Sequence, residues 1–113
     1  MKIIIKTIPP TINKYIGRTN VWEYQRDKKK IHELVRLCTI GKNPRFEKVK
    51  MKITYYFKDH RRHDPGNYDK MILDALVEAN IIKDDNYEVI TEFTTIGKYD
   101  KNNPRTEIEM EEI

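Results

Sequence analysis

A run of alternating apolar and polar side chains constrains the fold of this chain more than any other feature. Apolar residues occupy every second position from residue 49 to residue 57: Val49, Met51, Ile53, Tyr55 and Phe57. Polar residues fill or flank the positions between them: Lys48, Lys50, Lys52, Thr54 and Lys58. Since successive side chains of a strand point to opposite faces, this pattern predicts a strand with one face in a core and the other in water.

Helical and strand patterns elsewhere complete a plan for the fold. Two helices are predicted at residues 20–40 and 67–80, because apolar side chains recur there at helical spacing: Tyr24, Ile31, Leu34, Val35 and Cys38 in the first, and Tyr68, Ile72, Ala75, Leu76 and Ala79 in the second. Strands are predicted at residues 2–7, 88–98 and 106–112. The order β-α-β-α-β-β predicts an α+β fold of two layers, with two helices packed on one mixed sheet.

The length and composition limit the class of protein. A chain of 113 residues is the size of one domain, 1–113. No apolar run approaches the roughly 18 residues that a membrane span needs, so a soluble protein without a membrane partner is expected. The single cysteine, Cys38, lies in the apolar stripe of the first helix and is predicted to be a small buried hydrophobe. A cytoplasmic location fits these features.

Charge is distributed unevenly along the chain. Residues 1–63 hold 17 Lys and Arg with 5 Asp and Glu, a net charge of +12, whereas residues 64–113 hold 5 and 13, a net charge of −8. A basic half can bind phosphates and an acidic half can bind a divalent cation, which indicates a polyanionic partner. Alternatively, the two halves neutralise each other within the fold, and the charge counts favour neither interpretation.

The chemistry-bearing residues are concentrated between residues 61 and 85. Asp64 and Asp85 are the candidate ligands of Mg²⁺, which prefers carboxylate oxygens and needs only one or two of them beside a substrate phosphate. Lys70 would place a fixed cation beside a scissile phosphate, and Asn67 would orient a water or hold the loop. This set predicts metal-dependent cleavage of a phosphodiester.

Each of these residues also has a purely structural interpretation. Asp64 followed by a proline is typical of a helix N-cap, the 84–86 segment is typical of a turn, and Lys70 with Asp74 is a common surface pair. The basic cluster at residues 60–63 is either a phosphate-binding patch or a solvated loop. Zinc is not expected, because no third histidine or second cysteine stands at the spacing of a zinc site.

The pattern of these residues resembles the RusA family of Holliday junction resolvases. That family carries Asp-x-Asp-Asn-x-x-Lys-x-x-x-Asp-x-Leu followed by an Asp-Asp pair, and here the matching residues are Asp64, Asn67, Lys70, Asp74, Leu76, Asp84 and Asp85. Near the N-terminus, residues 9–15 read Pro-Pro-Thr-Ile-Asn-Lys-Tyr and resemble the Pro-Pro-Ser-x-Asn segment of the family.

The resemblance implies a homodimer that binds branched DNA, in particular four-way junctions, and makes paired nicks with Mg²⁺, or with Mn²⁺ in its place. It implies catalytic roles for Asp64, Lys70 and Asp85, with the metal at the two carboxylates. The expected DNA-binding residues are Lys14, Arg18, Arg61, Arg62, His63, Asn67 and Lys70. It also implies a role in DNA recombination and repair, and an origin in a bacterium or a resident phage.

One position departs from the family pattern. The second Asp of Asp-x-Asp-Asn is Gly66 here, so one metal-binding carboxylate is missing and impaired cleavage is expected. Asp69 and Asp84 are the nearby carboxylates considered as substitutes. A catalytically inactive junction-binding dimer is the alternative, and a scaffold that binds a protein through its acidic C-terminal strand is a third class.

Overall fold

The computed structural model describes residues 1–11 and 21–113, which contain a four-stranded sheet and two α-helices. The strands are β1 (Lys2–Ile5), β2 (Val49–Phe57), β3 (Ile90–Tyr99) and β4 (Arg105–Glu112), and the helices are α1 (Val21–Cys38) and α2 (Asp69–Glu78). A 3-10 turn, Pro65–Tyr68, leads directly into α2. The predicted α+β class and the order β-α-β-α-β-β are confirmed.

The sheet is mixed, with the strand order β1-β4-β2-β3. β2 is parallel to β3, and β4 is antiparallel to both β1 and β2. The alternation predicted for β2 is present, because its odd-numbered residues are buried and Lys50 and Lys52 are exposed. Thr54 is the exception: it is only 5% exposed, because it lies on an interior strand between Ile96 and Glu107.

The core lies between the inner face of the sheet and the two helices. α1 contributes Ile31 and Val35, whereas four side chains of α2 are fully packed: Met71, Ile72, Ala75 and Leu76. They meet aligned residues of the sheet such as Ile53 and its neighbour Ile108 on β4. Burial of this apolar surface is the main force that holds the helices on the sheet.

The prediction that Cys38 is buried is wrong. Cys38 is the last residue of α1 and is exposed, with its thiol 3.5 Å from the carbonyl oxygen of Ile4. The next core-facing position after Val35 is four residues on, at Thr39, which is buried and donates its hydroxyl to the carbonyl oxygen of Val35. Helix α1 also ends earlier than predicted, and its predicted start at residue 20 lies outside the described residues.

Ion pairs between the basic and acidic halves of the chain cover the outer face of the sheet. Three lysines contact glutamates on adjacent strands: Lys2 with Glu107 at 3.0 Å, Lys52 with Glu109 at 3.0 Å and Lys50 with Glu92 at 3.7 Å. On this face, therefore, the basic and acidic halves of the chain neutralise each other within the fold. Exposed pairs of this kind add little stability, but they occupy carboxylates of β4 that a protein partner would need.

A buried carboxylate ties the start of α2 to the sheet. Asp69 accepts hydrogen bonds from the Tyr55 hydroxyl on β2 at 2.6 Å and from the Thr95 hydroxyl on β3 at 2.9 Å. Burial raises the pKa of Asp69, and the two hydrogen bonds oppose that shift. Because both oxygens have donors, the charged form is tolerated in a buried position.

Replacing Asp69 tests the hydrogen bonds that join α2 to the sheet. Asp69→Ala should lower the free energy of unfolding by about 1–3 kcal/mol, since it leaves the buried Tyr55 hydroxyl without an acceptor. Asp69→Asn keeps an acceptor for Tyr55 and should cost less. Urea denaturation followed by circular dichroism measures both values, and equal losses for the two variants would contradict the role given to the hydrogen bond.

The raised pKa of Asp69 also sets the sign of a pH effect. A folded-state pKa above the unfolded value means that the folded protein holds the proton more tightly, so this contribution is full at low pH and is lost as pH rises through the folded pKa. The difference in free energy of unfolding between the native protein and Asp69→Asn should therefore shift in favour of Asp69→Asn as the pH is raised from about 3 to neutrality.

Candidate active site

Asp64 stands at the N-terminal end of the 3-10 turn without capping it. Its backbone is extended and its carboxylate makes no capping hydrogen bond, although its carbonyl oxygen accepts from the Asn67 amide at 2.9 Å. The carboxylate is 59% exposed and lies 3.6 Å from the guanidinium of Arg62. The N-cap interpretation therefore does not account for the side chain, which is left at the surface beside a cation.

The 84–86 segment is a turn, but its three side chains differ in what they do. Asp84 accepts from the Asp85 amide at 2.7 Å and from the side-chain amide of Asn86 at 3.2 Å. Asn86 in turn accepts from two amides that follow it. The carboxylate of Asp85 makes no hydrogen bond or ion pair with any residue that the structure describes. The turn thus uses Asp84 and Asn86 and leaves Asp85 available.

Asp85 lies in a groove at one end of the two helices, which we call the acidic groove. Its acidic lining residues are Asp74, Glu78, Asp84 and Asp85, and Lys28 and His32 of α1 also line it. Asp85 shares this groove with Asp74, and Asp64 is not among the residues that line it. Within residues 1–11 and 21–113, no group of three or more His, Cys, Asp or Glu side chains is positioned to hold a metal ion together.

Lys70 lies in the first turn of α2 and pairs with the carboxylate of Asp74. Its ammonium group is 59% exposed and lies 3.5 Å from the Asp74 carboxylate, one helical turn further along. At this distance and exposure the pair contributes little to stability. The ammonium group can therefore reach a phosphate at modest cost.

The histidines of the basic cluster are part of the fold. His63 stacks on Phe57, with ring centroids 4.0 Å apart, and lies 2.8 Å from Asp59 and 3.1 Å from the Tyr68 hydroxyl. These contacts fix the loop that carries Asp64. Burial and the charges of Asp59 and Asp64 raise the pKa of Tyr68.

The remaining predicted DNA-binding residues differ in what the structure shows of them. Arg61 and Arg62 are exposed, and the side chain of Arg62 is 89% exposed. His60 stacks on the ring of Tyr99 with centroids 3.8 Å apart. Lys14 and Arg18 lie outside the described residues.

The structure shows open space at Gly66. A Cβ built at this position has no atom within 4 Å, and its backbone is not in the left-handed region. A larger side chain is therefore tolerated sterically. The nearby carboxylates considered as substitutes are already engaged: Asp69 by Tyr55 and Thr95, and Asp84 by the turn.

Gly97 of β3 lies against Pro65 of the 3-10 turn, a contact that no sequence pattern predicted. A Cβ there would lie 3.0 Å from Cγ of Pro65 and 3.3 Å from a ring carbon of Phe57. Only a residue without a side chain lets Pro65 pack this closely against the strand. The turn that follows Asp64 is thereby held against the sheet.

These features define a small α+β protein that combines an acidic groove with exposed arginines on a loop, a set of groups suited to a polyanionic substrate. The family model described as "Endodeoxyribonuclease RusA" matches residues 8–111. The chain belongs to this family, and the resemblance seen in its sequence motifs is confirmed. A search of curated proteins finds no match. In the ranges that the structure describes, no helix is long and apolar enough to cross a membrane.

Two glycine-to-alanine substitutions test the packing around the turn. Gly97→Ala should lower the free energy of unfolding by about 1–3 kcal/mol, because the new methyl group would lie 3.0 Å from Pro65 and 3.3 Å from Phe57, closer than an ordinary van der Waals contact. Gly66→Ala is the matched control and should change stability by less than about 0.5 kcal/mol, since its methyl group meets open space. Thermal unfolding compares the two, and an equal loss would contradict the close contact at Gly97.

The Asp59–His63 contact predicts an acid-sensitive contribution to stability. The side-chain hydrogen bond from His63 lowers the pKa of Asp59 below its ordinary value of 3.8. A lowered folded-state pKa gives stability that is present above the unfolded value and is lost as pH falls through the folded value. The native protein should unfold at a higher temperature than Asp59→Asn near neutral pH, and the difference should disappear below about pH 3. A difference that persists in acid would contradict this assignment.

Proposed function

We propose that this protein is a Mg²⁺-dependent endodeoxyribonuclease that resolves four-way DNA junctions by paired nicks, and that Gly66 impairs its cleavage. The match of the RusA family model to residues 8–111 is the observation that carries this proposal. Two exposed carboxylates support it. Asp85 has no side-chain partner among the described residues, and Asp64 makes no capping hydrogen bond, so neither the turn nor the helix start explains these side chains.

The carboxylates of this chain offer the oxygen ligands that a hard divalent cation prefers. Asp64 and Asp85 would hold the ion, with Asp74 as a further candidate because it shares the acidic groove with Asp85. When bound, Mg²⁺ would supply an activated water and neutralise charge that develops on the phosphate; Mn²⁺ can take its place.

The cationic side chains of the chain would position the phosphate. The ammonium group of Lys70 lies on the same helix as Asp74 and would lie beside the scissile phosphate, where it favours the added negative charge of the transition state. Arg61 and Arg62 precede Asp64 and would hold neighbouring phosphates of the same strand. His63 would act mainly by fixing their loop, since both of its ring nitrogens have partners within the fold.

Paired nicks require two active sites. A homodimer with two-fold symmetry would present identical sites to the two strands of like polarity in a junction. The alternative is a junction-binding dimer in which Gly66 has abolished cleavage. The carboxylate that is missing at Gly66 favours that alternative enough to test it directly.

Restoring a carboxylate at Gly66 is the decisive test. Gly66→Asp should raise the rate of junction cleavage by at least about tenfold, equal to about 1.4 kcal/mol of barrier, and should lower the Mg²⁺ concentration that gives half of the maximal rate. The open space at Gly66 means that the fold accepts the new side chain. Cleavage of a synthetic four-way junction, with a linear duplex of the same sequence as the comparison, measures the effect.

Gly66→Asn is the matched control, because it adds nearly the same volume without the charge. The proposal requires that Asn does not reproduce the gain and that Asp64→Asn or Asp85→Asn removes it. If the native protein and Gly66→Asp both bind the junction selectively and neither cleaves it, the protein is a junction-binding module and the proposed hydrolysis is wrong.

A further inference from the structure

A second groove, which we call the basic groove, runs between the two helices beside the acidic groove. Its volume is about 540 Å³. The small side chains of Ala75 and Ala79 on α2 line one side, and Lys28, Lys29 and Arg36 on α1 line the other. The three cations lie on one side of α1 because residues 28, 29, 32 and 36 follow its helical repeat.

The basic and acidic grooves are continuous. Lys28, His32 and Glu78 line both of them. At this junction His32 Nδ1 contacts the carboxylate of Glu78, which joins α1 to α2. The two grooves therefore form one depression that begins at Arg36 and ends at Asp85.

The cations of the basic groove have no counterions among the residues that the structure describes. By contrast, Lys2, Lys50 and Lys52 on the sheet are each paired with a glutamate. Two carboxylates also line the basic groove, Glu33 and Glu78, and Glu78 is held by His32. With His32 neutral, three cations stand against two carboxylates in the basic groove, a net charge of +1 that favours an anion.

The spacing of these cations matches a DNA strand. Lys28 and Lys29 lie seven or eight residues before Arg36, which corresponds to about 11 Å along the helix axis. One strand of a duplex carries a phosphate about every 3.4 Å along the duplex axis, so this distance spans about three phosphates. Neither a small anion nor a single phosphate needs cations spread over that length.

We propose that the basic groove binds the sugar-phosphate backbone of the DNA strand that enters the acidic groove, with Lys28, Lys29 and Arg36 as its phosphate contacts. This inference rests on the proposed function, because it assigns the path of the substrate to that site. It adds α1 to the DNA-binding surface, which the sequence had predicted at Lys14 and Arg18, in the loop before Asp64, and at Asn67 and Lys70.

Substitution of the three cations tests the path. The variant Lys28→Gln, Lys29→Gln, Arg36→Gln keeps helix-favouring side chains. The matched control Lys30→Gln, Lys42→Gln, Lys101→Gln removes the same charge from exposed positions that line neither groove. Binding of a four-way junction is measured without Mg²⁺ over a series of salt concentrations, so that cleavage does not enter the result.

The groove variant should bind at least about tenfold more weakly, and the slope of log affinity against log salt should fall by about 2.7, the value for three phosphate contacts. The control variant should show a distinctly smaller loss of affinity and a smaller decrease of that slope than the groove variant. Equal losses in the two variants would overturn the basic groove as the strand path. If Gly66→Asp cleaves the junction, that result leaves the proposed hydrolysis unaffected. If the groove variant binds more weakly than its control but Gly66→Asp does not cleave, only the proposed hydrolysis is wrong.

Discussion

The buried carboxylate of Asp69 is the contact on which the arrangement of this protein depends. It joins the first turn of α2 to both β2 and β3 through Tyr55 and Thr95. Together with the packing of Met71, Ile72, Ala75 and Leu76, this attachment holds the helix that carries Lys70 and Asp74 on the sheet. A charged group in this place is costly unless it is fully hydrogen-bonded, so the attachment is specific as well as strong.

Two further contacts complete the support of the candidate site. Gly97 lets Pro65 pack against β3, and His63 holds the loop before it through Phe57, Asp59 and Tyr68. The loop and turn around Asp64 are thus fixed from both sides, while the Asp64 carboxylate stays exposed. Rigid support of this kind is what a site needs when its groups must meet a substrate in a set geometry.

Charge in this chain has two separate uses. On the outer face of the sheet the basic and acidic halves pair with each other, as Lys52 does with Glu109. At the helices and the loop before Asp64, cations such as Arg62 and Lys29 remain at the surface. The same net charge of +4 therefore combines internal neutralisation with a surface suited to phosphates.

The sequence by itself determined the elements, their order and the family, because periodicity and short motifs are local properties. It predicted β2 and α2 well and erred at Cys38, where the end of a helix moves a side chain off the buried face. Only the tertiary structure decided which carboxylates have partners among the described residues. Asp69 is hydrogen-bonded to the sheet and Asp84 to a turn, whereas Asp85 lines a groove with Asp74. The surroundings of Asp69 and Asp85 depend on contacts between residues far apart in the chain, which no local pattern records, whereas the turn around Asp84 is a local feature that the sequence predicted.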